Sequence, residues 1–250
     1  MSAPGDGCVA VVTGAGQGLG EAIATRLVRD GYRVVFADIN LGAAEGTARA
    51  ADPTGGRAIA HEVDVRELRS VQGCLEATVE RWGQVDGWVN NAARTVAREF
   101  LEIDPDEWDD VLATNLRGTY FGCRVAGIHM AERGSGRIVN LASVAGQWGR
   151  GLTGAHYAAS KAGIVSVTRS AAMAFAGRGV TVNAVAPAAI DGPTAAAMPA
   201  DTIAAYAKTI PVGRLGRPEE VAALVAFLVS PEATFTTGAT YDVNGGLLMR

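Results

Sequence analysis

Thr13-Gly14-Ala15-Gly16-Gln17-Gly18-Leu19-Gly20 follows directly on an apolar run, Cys8–Thr13, and opens onto an amphipathic stretch, Leu19–Asp30. Glycines let a backbone turn tightly and approach phosphate oxygens, and a helix starting at such a turn offers free N–H groups and the positive end of its dipole. The stretch therefore predicts strand, pyrophosphate-binding turn and helix in succession, with Gly14, Gly16, Gln17, Gly18, Leu19 and Gly20 against the phosphates. Its spacing, Gly14-x-x-x-Gly18-x-Gly20, departs from the G-x-G-x-x-G fingerprint. In a chain with 32 Gly, a plain turn is the alternative.

Outward from the turn, the same alternation repeats. Strands are expected at Cys8–Thr13, Arg33–Ala37, Ala58–Val63, Gly87–Val89, Arg137–Leu141, Val180–Val185 and Thr240–Val243. Helices are expected between them, at Leu19–Asp30, Leu41–Ala50, Glu67–Trp82, Pro105–Glu132, Ala155–Ala176 and Pro218–Leu228. Near-continuous apolar strands separated by helix-length segments imply a parallel sheet covered on both faces. The expectation is one α/β domain over residues 1–250, doubly wound and Rossmann-type, with a seven-stranded parallel sheet. No repeat or linker divides it. Two irregular stretches, Val144–Gly154 and Pro187–Pro199, follow strands, where loops line the ligand crevice of such a sheet. Substrate loops are therefore placed near 144–154 and 187–210.

Asp38 ends the second strand about 20 residues beyond the turn, where a carboxylate accepts hydrogen bonds from the adenosine ribose hydroxyls. The same charge repels a 2′-phosphate, and neither Gln17, Ile39 nor Asn40 supplies a cation for one. NAD is expected over NADP; the alternative is a solvated strand-end aspartate. A net charge of −4 without a Lys/Arg run argues against nucleic-acid and membrane partners. No signal peptide or membrane-spanning run is read, and Cys8, Cys74 and Cys123 are too scattered for a disulfide framework or zinc site, which fits a reduced, cytoplasmic setting. No cluster of His with carboxylates suggests a metal.

Among 22 basic residues only two are Lys, and one of these, Lys161, stands four residues after Tyr157. On a helix the two share a face. Asp64-Val65 after the third strand, Asn90-Asn91-Ala92-Ala93 after the fourth, Asn115 in a long helical stretch, Ser143 after the fifth strand and the Tyr157/Lys161 pair come in that order. Tail segments add Asn183-x-Val185-x-Pro187, Arg214-x-x-Arg217-Pro218-Glu219-Glu220-Val221 and Thr237 to Gly246. Together with the glycine turn they resemble the short-chain dehydrogenase/reductase family over essentially the whole chain.

The resemblance implies a homotetrameric oxidoreductase that moves hydride between nicotinamide and a secondary alcohol or ketone carbon. Tyr157 would be the general acid/base, Ser143 would hold the substrate oxygen, and Asn115 would hold a water connecting Lys161 to solvent. Lys161 would donate to the nicotinamide ribose. A phenol with a pKa near 10 needs help at neutral pH, and a cation ~5 Å away at an effective dielectric of ~20 contributes roughly 3 kcal/mol, about two pKa units. Further cofactor contacts are implied for Ile39, Asp64, Val65, Asn91, Ala92, Ala93, Pro187, Ala188 and Ile190. For Asn115 a structural bond to neighbouring backbone is the alternative, and for Asp64 a loop or cap role.

Four positions depart from the family pattern, one of them Asn244, which stands where Asp is usual before the tail glycines and is read as a minor structural change. Ala93 replaces a usual Gly and crowds the cofactor ribose unless its φ is negative; accommodation is expected. Ala188 likewise stands for Gly. Gly192 replaces a Thr that commonly helps hold the carboxamide, leaving Thr194 as a substitute. For substrate, Arg94, Ser143, Gln147, Trp148, Tyr157 and Met198 are the candidates, with Arg94 and Arg150 open to an anionic group, Tyr206 in the lid-like segment and His156 facing either substrate or solvent. A 3-oxoacyl-carrier-protein or other ketone reductase is the alternative reading, and a non-catalytic NAD-binding sensor or scaffold is the reading from another class.

Overall fold

The computed structural model describes residues 5–148 and 153–249. Its strands are β1 Val9–Thr13, β2 Arg33–Asp38, β3 Ala58–Glu62, β4 Gly87–Asn90, β5 Gly136–Leu141, β6 Val180–Pro187 and β7 Thr240–Val243. All pair in parallel in one sheet of order β3-β2-β1-β4-β5-β6-β7. The helices are α1 Gly18–Arg29, α2 Leu41–Ala51, α3 Leu68–Trp82, α4 Pro105–Leu112, α5 Gly118–Arg133, α6 Ala145–Trp148, α7 Ala155–Phe175, α8 Pro193–Ala196, α9 Ala200–Ala207 and α10 Pro218–Val229.

Successive side chains of a strand point to opposite faces, so a strand covered on both faces must be apolar throughout. In β1 this gives Val-Ala-Val-Val, every residue buried. Ala10 and Val12 join Val34, Phe36, Ile23, Leu27, Val221, Val225 and Leu228 on the face covered by α1 and α10. Val11 and Val35 join Trp88, Ile138, Val182, Cys74, Ala126 and Met130 on the face covered by α3, α5 and α7. Leu27 is fully buried in the first layer. Leu27→Ala should destabilise the chain by roughly 3 kcal/mol through lost burial and a residual cavity. Urea unfolding checks this, with the midpoint falling and the slope unchanged.

The strand order reverses at the junction of β1 and β4, where connections diverge to opposite faces and open a crevice at the strands' carboxyl ends. Two departures from the expected elements bear on that crevice. The helix expected over Pro105–Glu132 is interrupted by a π turn at Ala113–Arg117, between α4 and α5. The stretches expected to be irregular contain the short helices α6 and α8, and α9 follows within the substrate loop placed at 187–210.

Candidate active site

The crevice is a cavity of about 600 Å³ lined by residues from the ends of β1, β2, β4, β5 and β6. At its dinucleotide end, Gly14 has φ +67, and a Cβ there would lie 2.7 Å from Ala92 Cα. A Cβ on Gly20 would overlap the Gly14 carbonyl oxygen, so the turn closes this tightly only with glycine. Gln17, the N-cap of α1, makes no side-chain capping bond, which leaves first-turn N–H groups facing the cleft for an anion.

Asp38 stands beside the turn. Its Oδ2 accepts from Gly16 N at 2.9 Å and its Oδ1 from Asn40 N at 2.9 Å. A carboxylate offers about four acceptor sites, so two remain for a pair of ribose hydroxyls. An uncapped helix start, a glycine cradle and this carboxylate fit an adenine dinucleotide.

Asn91 and Asp64 are engaged differently from the expectation. Asn91 Nδ2 donates to Thr13 O at 2.9 Å and Gly14 O at 3.1 Å, stapling β4 to the glycine turn. Asp64 accepts from Arg66 N, Nε and Nη2 at 2.7–3.1 Å, so its oxygens are already filled by a residue that the sequence did not single out. Arg66 also reaches Asp110 at 3.0 Å, and Asp110 pairs with Arg94 at 2.9 Å. Such part-exposed pairs order the rim more than they stabilise it. Ala93 is accommodated, since no non-glycine among the described residues has positive φ.

At the other end, Ser143 after β5 and Tyr157 in the first turn of α7 meet: the side chains of Ser143 and Thr95 lie beside the Tyr157 hydroxyl. Lys161, one turn on and 3% exposed, places Nζ 5.5 Å from the centre of the Tyr157 ring and donates to Leu141 O at 2.6 Å. Burial lowers the Lys161 pKa to about 7. Burial also raises the Tyr157 pKa, and Ser143 and Thr95 offset this only in part. The expected lowering of Tyr157 by Lys161 is thus not what governs the phenol here, because desolvation penalises both charged forms.

Asn115 is fully buried in the π turn. Its Oδ1 accepts from Arg94 N at 2.8 Å, and its Nδ2 donates to Arg94 O at 3.1 Å and Ser160 Oγ at 3.0 Å. These are structural bonds to neighbouring backbone and to Ser160, of the kind named as the alternative for this residue, and one lone pair of Oδ1 remains beyond them.

Gly14, Gln17, Gly18, Leu19, Gly20, Asp38, Ile39, Asp64, Val65, Asn91, Ala92, Ala93, Arg94, Ser143, Tyr157, Lys161, Pro187, Ala188, Ile190, Thr194, Met198 and Tyr206 all line the cavity. Gly16 lies behind it, against Asp38 and Ala43. Gln147 and Trp148 do not reach it: Gln147 Nε2 donates to Asp242 Oδ1 at 2.9 Å, and Trp148 is 38% exposed. Arg150 lies outside the described residues. His156 faces neither substrate nor solvent, being 0% exposed and bonded to Glu107. Thr95 was missed, since nothing in its local sequence marks a threonine that meets a tyrosine 62 positions away.

A family model described as enoyl-(acyl carrier protein) reductase matches residues 14–248. The chain belongs to the short-chain dehydrogenase/reductase family. Within that family it is 41% identical over 239 residues to cis-4-hydroxycyclohexanecarboxylate dehydrogenase of Sinomonas cyclohexanicum, covering 95% of each chain. It is 39% identical over 245 residues to the 3-oxoacyl-acyl-carrier-protein reductase FabG of Vibrio harveyi, covering 98% of each. Among solved structures, levodione reductase matches with a TM-score of 0.91 at 32% identity, over 97% of this chain and 98% of that one. As a member of this nicotinamide-dependent family, the chain is an oxidoreductase acting on secondary alcohols or ketones. Among the described residues no helix is long and apolar enough to cross a membrane.

Proposed function

We propose that this short-chain dehydrogenase/reductase is NAD-dependent and oxidises a secondary alcohol to a ketone, with Tyr157 as general base. The observation that carries the reading is the juxtaposition of Ser143 and Tyr157 hydroxyls above a buried Lys161, at one end of a cleft whose other end presents Asp38 beside the glycine turn. Ser143 donates to the substrate oxygen and fixes it toward Tyr157. Tyr157 takes the hydroxyl proton as the carbon–hydrogen bond breaks. Lys161, with a pKa of about 7, exchanges protons at neutral pH and would donate to the nicotinamide ribose of a bound dinucleotide. Asn115 supports this by pinning the Arg94 backbone and Ser160.

The dinucleotide, held by the glycine turn, Asp38 and the end of β6, supplies the hydride acceptor. NAD is favoured because the two free acceptor sites of Asp38 suit ribose hydroxyls, while its charge opposes a 2′-phosphate. This also weighs against the carrier-protein reductase reading, in which NADPH is the usual reductant. Asp38→Ala should bring the NAD/NADP ratio of kcat/KM down by at least tenfold, since one unfavourable charge contact at ~4 Å is on the order of several kcal/mol at a protein surface. A panel of secondary alcohols with NAD and with NADP, followed by reduced-cofactor absorbance, tests cofactor and direction together. A ratio unchanged in the variant removes the ribose argument.

The assembly is read as a homotetramer, supported by exposed apolar side chains on helices: Trp108 on α4, Tyr120 and Ile128 on α5, Met173 on α7 and Phe227 on α10. Three free cysteines, Cys8, Cys74 and Cys123, support a reducing, cytoplasmic location.

A further inference from the structure

We infer that His156, tied through Glu107 to Arg98, is a positioning residue that sets the backbone of Tyr157 and hence the height of its hydroxyl in the cleft. The inference rests on the reading of Tyr157 as the proton-transfer group. Helix α7 starts at Gly154, which has no side chain with which to cap the unpaired N–H groups of the first turn. His156 caps one of them instead, its Nδ1 accepting from Tyr157 N at 2.8 Å.

That bond fixes the tautomer. A ring nitrogen that accepts carries no proton, so Nε2 is the N–H and donates to Glu107 Oε1 at 3.2 Å. Glu107 in turn receives Arg98 Nε at 3.1 Å and Nη2 at 2.9 Å, a forked pair. Its own backbone N–H is held by Asp104 Oδ1 at 2.8 Å. Gly154 is part of the arrangement, because a Cβ there would overlap the His156 ring.

The network matters to Tyr157 because of where its far end sits. Arg98 belongs to the loop after β4, the same loop that carries Thr95 to the Tyr157 hydroxyl. Gly154 N donates to Val96 O at 3.0 Å, joining the loop to the start of α7 a third time. Tyr157 therefore meets one loop at both ends: Thr95 lies beside its hydroxyl, and its N–H is held by a ring anchored on Arg98. His156 itself does not line the cavity. Its effect on the reaction passes through Tyr157.

The test uses the full-length enzyme with its best alcohol from the panel. His156→Leu removes both bonds and should lower kcat on the order of 10²-fold, the scale of an ångström of misplacement. KM and the dissociation constant of the dinucleotide should stay within about twofold, because neither ligand touches the ring. His156→Asn puts Oδ1 where Nδ1 stood, keeps the bond to Tyr157 N and loses the tie to Glu107, so it should recover to within about tenfold of wild type.

Arg98→Leu and Glu107→Leu sever the far end at more exposed side chains, and carry the test should His156→Leu fail to fold. Each should lower kcat without moving KM. An unchanged kcat in these variants, a loss confined to KM, or no recovery with Asn over Leu overturns the inference. The Tyr157 reading is judged separately, by whether Tyr157→Phe abolishes turnover in the same assay.

Discussion

Replacing Tyr157 by phenylalanine is expected to lower kcat by about 10²- to 10⁴-fold, the usual worth of a positioned acid/base, while leaving dinucleotide affinity unchanged. The ring keeps its place 5.5 Å from Lys161 Nζ, and only the oxygen beside Ser143 and Thr95 is lost. Steady-state kinetics with fluorescence titration of reduced cofactor separates the two quantities. Turnover within tenfold of wild type would remove Tyr157 from proton transfer. The pH profile gives a second reading of the same group. Burial holds its pKa above the ordinary phenol value, and oxidation requires the phenolate, so kcat/KM for oxidation should climb as pH rises through the neutral and alkaline range. Reduction requires the phenol and should fall over the same range.

Lys161→Met should inactivate the enzyme and stabilise the fold. An ammonium that is 3% exposed and whose pKa is lowered to about 7 is a charge the folded chain holds at a cost. The sign follows from proton counting. Below pH 7 both folded and unfolded chains carry the proton, and the penalty is fully present. Between about 7 and 10.5 the unfolded chain binds more protons, so wild-type stability rises with pH and the penalty fades. Methionine, apolar and of similar length, has no such dependence. The melting temperature of Lys161→Met should therefore exceed wild type by about 5 °C near pH 6, on the order of a few kcal/mol, and the gap should close toward pH 10. Calorimetry at several pH values measures it. A variant less stable than wild type at pH 6 would mean that the bond to Leu141 O outweighs the burial of the charge.

Much of the molecule was legible for a definite physical reason. The strands read correctly because both faces of the sheet are covered, which leaves runs such as Val9–Val12 with no polar residue. The register of Asp38 with the glycine turn places it beside that turn, where its carboxylate accepts from Gly16 N. The contents of the lids were harder to read. In 187–210, Pro193 and Pro199 break a run of alanines into α8 and α9, each too short to show a helical period. The π turn at Asn115 has no local signature, and the side chain it carries bonds to Arg94, 21 residues earlier. Gln147 was assigned to substrate from its place after Ser143, yet its amide finds Asp242, 95 residues on. Tertiary partners of this kind decide what a side chain does, and no local pattern records them. Thr95 escaped for the same reason, and His156, expected to face substrate or solvent, is instead buried against Glu107.

The seam between β1 and β4 has a consequence for how the chain comes to its native state. Val9 N donates to Asp86 Oδ2 across 77 residues, and Ala10 sits in register with Gly87. Such a pairing closes a long loop before any contact rewards it, which makes parallel sheets of this kind slow to fold. The crevice exists only once that seam is joined. Recovery of activity on refolding therefore reports the arrival of a distant strand, not the earlier formation of the local β–α units on either side.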